Sequence, residues 1–299
     1  MKLQKIHFVL ICLSVVLGSC ADLKHINTFS ATAVKTINSY NDVGYTFTSS
    51  YNDYTLKKNA YNFEGDVANN VLSLPTVPVI ADEPKTAMDA DKAITLYITS
   101  ITSYFDGLSK LSDKDLVNYN FDEVTKDLKN QTALKTKLHI DNDDKIDAAS
   151  SIAKVFTNEI MGAYREGKLK EVMIKYDGQV SLCIQTLIDI LNKTVLPHID
   201  ADKVLVDGKY QVVLANKQID MGKKIDIIKD YQAEQATLNK NKEQISQIIT
   251  ALEKIKDEHN KTVVALKTEK LSSKAVIDIV NTHSAEIYQL YTNIKTLTK

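Results

Sequence analysis

The stretch IIKDYQAEQATLNKNKEQISQIITALEKIKDEHNKTVVAL, residues 227–266, decides the fold class. Tyr231, Leu238, Ile245 and Leu252 are spaced by sevens, and Leu266 rejoins the series after His259. Ile227, Ile248 and Ile255 occupy the complementary positions. A seven-residue apolar repeat lines these side chains along one helical stripe, which needs a partner helix to cover it. The pattern resumes after Leu271-Ser272-Ser273 with Ile277, Val280, Ile287, Tyr291 and Ile294. Two long amphipathic helices, about 210–268 and 273–298, are expected to pack antiparallel within the chain. His259 and Thr262 fall in the first seam and Ser284 in the second, where polar residues weaken a coiled coil but can fix its register.

Upstream, helices are predicted near 86–109, 113–138, 143–166 and 168–196. Ser112 with Asp115, and Asp143 or Asp144, have the chemistry of N-terminal caps. Residues 180–196 are apolar almost all round, from Val180 to Leu196, so this helix is expected to be central, and Pro197 to end it. Gln185, Asp189 and Asn192 argue against membrane insertion of this segment. Asp207-Gly208, set among Val204, Val206 and Val212, predicts a turn into the next helix, with a small β-hairpin as the alternative. Three prolines between Pro75 and Pro84 make 71–84 an extended strap. The expected fold is all-α: an elongated helical bundle over 85–299 with long antiparallel coiled-coil-like helices, preceded by a helical segment within 20–70.

That N-terminal segment is rich in aromatics. Tyr40, Phe47, Tyr51, Tyr54 and Tyr61 recur at helical spacing and are expected on one face. Such a face packs against neighbouring helices or forms a stacking platform for a glycan, peptide or small ligand; core packing is preferred.

Residues 1–19 read as a signal peptide: Lys2 and Lys5, an apolar run from Ile6 to Leu17, then Gly18-Ser19-Cys20. The run falls six to eight residues short of the roughly 20 that cross a bilayer as a helix. Leu17-Gly18-Ser19-Cys20 resembles a bacterial lipobox. The resemblance implies cleavage between Ser19 and Cys20, diacylglycerol on the Cys20 sulfur, and attachment to a bacterial membrane outside the cytoplasm.

Composition narrows the function classes. The chain carries a formal charge of −1, and loss of Lys2 and Lys5 with the leader makes it more negative, which disfavours nucleic-acid binding. Arg165 is the sole arginine, so bidentate capture of phosphate or carboxylate is not a design theme. Cys183, in an apolar run, has no internal partner once Cys20 is acylated, and reads as a buried thiol.

The sequence holds no P-loop, dinucleotide fingerprint, Gly-x-Ser-x-Gly elbow or His-Glu-x-x-His. Asp141-Asn142-Asp143-Asp144-Lys145 has a lysine at a calcium-ligand position and Ile146 where the loop needs glycine, so it reads as a helix start. His283-Ser284-Ala285-Glu286 is similar to part of the Gly-x-His-x-x-Glu motif of imelysin-like lipoproteins, with Asn281 at the glycine position. The likeness makes His283 and Glu286 weak metal candidates; the flank of an amphipathic helix is the preferred reading. No cofactor is expected. The sequence as a whole reads as a lipid-anchored, non-catalytic binding or scaffolding protein with a protein partner in the cell envelope; a ligand-binding module or a helical membrane-active protein are the alternatives.

Overall fold

A computed structural model describes residues 23–65, 83–110, 122–156 and 165–298. The leader, Cys20 and most of the 71–84 strap lie outside these residues, as do Ser112 and Asp115. The described residues form an all-α bundle without strands. In chain order the helices are α1 (Lys24–Asn38), α2 (Phe47–Gly65), α3 (Pro84–Lys110), α4 (Asp122–Asn130), α5 (Thr132–Lys137), α6 (Asp143–Ala153), α7 (Arg165–Ile190), α8 (Leu196–Ala215), α9 (Met221–Leu266) and α10 (Lys274–Thr298).

The heptad stretch forms the spine. α9 is 46 residues long, about 69 Å at 1.5 Å per residue. It packs against α7, α8, α10 and α1. Ile245, Ile248, Leu252, Ile255, Val263 and Leu266 are buried along it, facing a core that includes Val276, Val280, Ile287 and Ile294 of α10. α10 runs antiparallel: His283 lies beside Glu258 while Lys254 pairs with Glu286. On the other side α7 and α8 run antiparallel as one nearly continuous helix, Ser181 meeting Asn260 and Asp200 meeting Lys242. α3 completes the core with Ile94, Tyr97, Ile101, Tyr104, Phe105 and Leu108, and packs on α1, α2, α6 and α7.

Several sequence expectations need correction. Pro197 does not end the buried helix. Leu191–Val195 forms a π-helical turn, and the chain continues as α8 with Pro197 in its first turn. Proline removes the N–H that the carbonyl four residues back would use. A wider turn changes the backbone pairing just before it, so helical direction survives. Asp207-Gly208 makes neither a turn nor a hairpin; both lie inside α8, and the reversal comes after Ala215. Asp207 is held in helix by two bonds from α9, from Tyr231 (2.8 Å) and Gln235 (2.7 Å). Asp220 then caps α9 by accepting from the Lys223 backbone N–H (3.1 Å). The cap of α6 is Asn142, one residue before the aspartates read as candidates; Asp143 and Asp144 occupy the first turn. Residues 113–138, expected as one helix, hold α4 and α5 with Gln131 between them.

Gly107 lies against the Phe156 ring so closely that a Cβ there would fall 2.0 Å from a ring carbon. Gly107→Ala gains helix propensity of up to about 1 kcal/mol, but the ring is packed against Tyr104 and has no flexible end to move. Overpacking of this kind costs roughly 1–3 kcal/mol. Gly107→Ala is therefore expected to lower stability in urea denaturation, and Gly107→Ala with Phe156→Leu to recover part of the loss.

Candidate functional site

The most distinctive surface is where the bundle ends and α9 does not. No residue of α9 before Asn241 is buried, although thirteen residues from there to Leu266 are. The first 17 residues of α9, before Leu238 packs on the core, extend beyond it with α8, about 25 Å at helical rise. α2 lies alongside, its Lys57 ammonium between Asp53 and, at 3.6 Å, Glu234. A polar ladder holds this three-helix projection together. Glu234 accepts from Lys209 (2.5 Å) and Tyr210 (2.8 Å), and the Tyr210 and Tyr231 rings meet edge-on at 5.2 Å. Burial alone would raise the Glu234 carboxyl, but the bonds from Lys209 and Tyr210 and the nearby lysine charges hold it below its ordinary value. The projection exposes Leu56 (69 %), Met221 (73 %), Ile225 (49 %) and Ile228 (41 %).

The five aromatics read as one face are not brought together on one helix. α1 ends at Asn38, Tyr40 sits in the 3₁₀ turn Ser39–Asp42, and Gly44 adopts a left-handed φ of 71°. α2 then starts at Phe47 because Asp91 of α3 accepts from the Phe47 and Thr48 N–H groups (2.8 and 3.0 Å), a cap supplied from another helix. Phe47 is buried, Tyr40 and Tyr51 pack against the core, and Tyr54 is half-buried. The Tyr61 side chain lies outside the described residues.

At the root of the projection the fold assembles a serine, a histidine and an aspartate that sequence reading did not connect. Ser50 Oγ lies 3.1 Å from His198 Nε2 and donates to Asp202 Oδ1 (2.9 Å), while Tyr45 donates to Asp202 Oδ2 (2.8 Å). All four residues are buried. The wiring differs from a nucleophilic triad, in which histidine takes the serine proton and aspartate orients the histidine. Here the serine proton is committed to the carboxylate, so Ser50 Oγ accepts from His198 Nε2–H and the imidazole is not its base. Burial, then the Asp202 charge, pushes the Tyr45 hydroxyl well above its usual range. The cluster locks α2 onto α8. Its only sequence signal was the His198-x-x-x-Asp202 spacing on one helical face.

Two further polar chains cross α9. His259 Nδ1 donates to Asp177 Oδ1 (3.2 Å), leaving Nε2 to accept the Tyr104 hydroxyl proton (2.8 Å). One residue away, Glu258 is fully buried. Its Oε1 accepts from Thr262 (3.3 Å), and its Oε2, without a hydrogen bond, lies 3.5 Å from His283 Nε2 across the α9–α10 seam. His283 Nδ1 is 3.8 Å from Glu286, which Lys254 already neutralises at 2.5 Å. Among the described residues no three histidine, cysteine, aspartate or glutamate side chains form a group able to hold a metal ion. Cys183 is free and buried, its thiol raised well above the ordinary value by burial. Among these residues, too, no helix is long and apolar enough to cross a membrane.

Burial pushes the Glu258 carboxyl up to about 7, with Thr262 and Lys261 opposing it. The protonated form is thus favoured by folding. Its stabilising contribution is complete below the unfolded-state value near 4.5 and is lost as pH rises through 7. A shift of this size corresponds to about 3 kcal/mol. Urea denaturation at pH 5 and pH 8 is expected to show stability falling with rising pH, and Glu258→Gln is expected to remove most of that fall. Equal slopes in the two proteins would refute the assignment.

No family model matches the chain, and no curated protein or solved structure matches it either, so its functional reading rests on sequence and geometry alone.

Proposed function

We propose that the protein is a lipid-anchored, non-catalytic helical brace of a bacterial cell envelope, carrying its working surface on the α2–α8–α9 projection. The observation that carries this reading is the separation of the two ends. Asn27, near the start of α1, donates to the Ser109 carbonyl at the end of α3 (2.9 Å). Five residues earlier on α3, Tyr104 bonds His259. From His259 to the first residue of α9 is about 57 Å of helix. Cys20 precedes Lys24 by four residues, no more than about 14 Å of extended chain. Diacylglycerol on Cys20 would hold the α1 end close to a bilayer outside the cytoplasm and leave the projection free to reach a second component.

The polar clusters support a non-catalytic role, because each is consumed in joining helices. Ser50 and Asp202 join α2 to α8, and Tyr104, His259 and Asp177 join α3, α9 and α7. The partner proposed for the projection's flank is another envelope protein. Leu56, exposed on α2, is the position to probe.

Two measurements test the proposal together. In fractionated cells Cys20→Ala is expected to move the protein out of the membrane fraction. A photo-crosslinking residue at position 56 is expected to give discrete protein adducts, while one at Val264, exposed near the opposite end of α9, gives few. Membrane retention of Cys20→Ala would sink the anchor, and equal adduct patterns at both positions would sink the brace.

A further inference from the structure

Met221, Ile225 and Ile228 form one stripe, spaced by four and three along the first two turns of α9. Glu234, which faces Lys57 of α2, is nine residues from Ile225 and so lies half a turn round the helix. The stripe therefore points away from α2. On a helix of 3.6 residues per turn, Lys224 and Lys229 fall on either side of it.

Charge is distributed unevenly here. Between Lys217 and Lys229 the chain places four lysines against Asp220 and Asp226. Asp220 is engaged as the α9 cap, and Asp226 pairs with Lys229 (3.1 Å). Lys217, Lys223 and Lys224 keep their charge without an acidic partner among the described residues. In a chain whose net formal charge is −1, the end of the α8–α9 hairpin is locally positive.

An apolar stripe flanked by lysines, on a helical stretch with no fully buried residue, is the pattern of an element that lies in the interface of an anionic bilayer. The apolar side chains enter the acyl boundary, and the lysine stems run along it while their ammonium groups reach phosphate. A second copy of the chain fits less well. Three side chains cover far less than the roughly 800 Å² per partner of a stable protein interface, and the flanking lysines of two copies would repel. We infer that the end of the α8–α9 hairpin docks on an anionic lipid surface through Met221, Ile225 and Ile228, held by Lys224 beside the stripe and by Lys217 in the turn before it. The inference rests on the projection being a contact end and is independent of the Cys20 anchor.

The chain contains no tryptophan, so Ile225→Trp introduces a lone reporter at an exposed position. The mature protein carrying it would be mixed with phosphatidylcholine vesicles, with and without phosphatidylglycerol, and its indole emission recorded. Expected are a blue shift and quenching by brominated lipid only when phosphatidylglycerol is present. Adding Lys217→Glu and Lys224→Glu is expected to weaken this partitioning roughly tenfold or more, with Lys223→Glu on the opposite face having a smaller effect and circular dichroism unchanged. An unshifted emission would overturn the inference. A shift that grows with protein concentration but is not quenched by brominated lipid would assign the stripe to a second copy and overturn it equally. Co-flotation with pure phosphatidylcholine reports the Cys20 anchor separately.

Discussion

The apolar seam of α9 between Asn241 and Leu266 is the constraint on which the rest depends. In that span Ile245, Ile248, Leu252, Ile255, Val263 and Leu266 leave water. Full burial of one such side chain is worth about 1.5–3 kcal/mol, enough in aggregate to fix α1, α3, α7 and α10 around the spine. Before Asn241 the same helix has no fully buried residue; Leu238 is half-buried, α8 alongside buries Leu205, Val206 and Tyr210, and hydrogen bonds and ion pairs gather around Asp207 and Glu234. Each such bond contributes about 0.5–1.5 kcal/mol, and exposed ion pairs less. The projection is thus held in helix largely by continuity with the seam. Its local opening free energy should lie well below that of the core.

This division explains what was legible in the sequence. The heptad positions from Ile245 onward are decided by α9 itself, so periodicity found them, and α3 was found on the same ground. The aromatic stripe was misplaced because the start of α2 is set by Asp91, 44 residues from Phe47. Local spacing cannot contain that contact. Gly44 marked the break in the sequence, but only its left-handed φ turns a permissive residue into a required one. At Pro197 and at Asp207-Gly208 the breaker signals were correctly seen and wrongly weighted. Packing against α9 supplied more than the local backbone lost.

Glu258 was missed for a related reason. Next to the seam residue His259, a glutamate on an amphipathic helix normally faces solvent. Here α9 is surrounded closely enough that even this flanking position is buried, with His283 as its neighbour across the seam. An uncharged residue of the same shape would serve the packing better, since the desolvation of a carboxylate is only partly offset by the Thr262 hydrogen bond and the Lys261 charge.

The Ser50, His198 and Asp202 grouping shows how little proximity alone establishes. The right three residue types lie within hydrogen-bond distance, yet the direction of each bond removes the chemistry that their names suggest. A serine that donates to a carboxylate has no proton to give a base, and a histidine that donates to that serine is not one. The same three side chains, with Tyr45 on the second Asp202 oxygen, do serve a mechanical end. They anchor the root of α2 to α8, and the projection beyond them buries Leu205, Val206 and Tyr210 while leaving Leu56, Met221, Ile225 and Ile228 at the surface. Single exposed isoleucines are ordinary on any protein. Met221, Ile225 and Ile228 are different in kind, because they align on the outer side of one helix, at the end where burial has ceased and lysines gather.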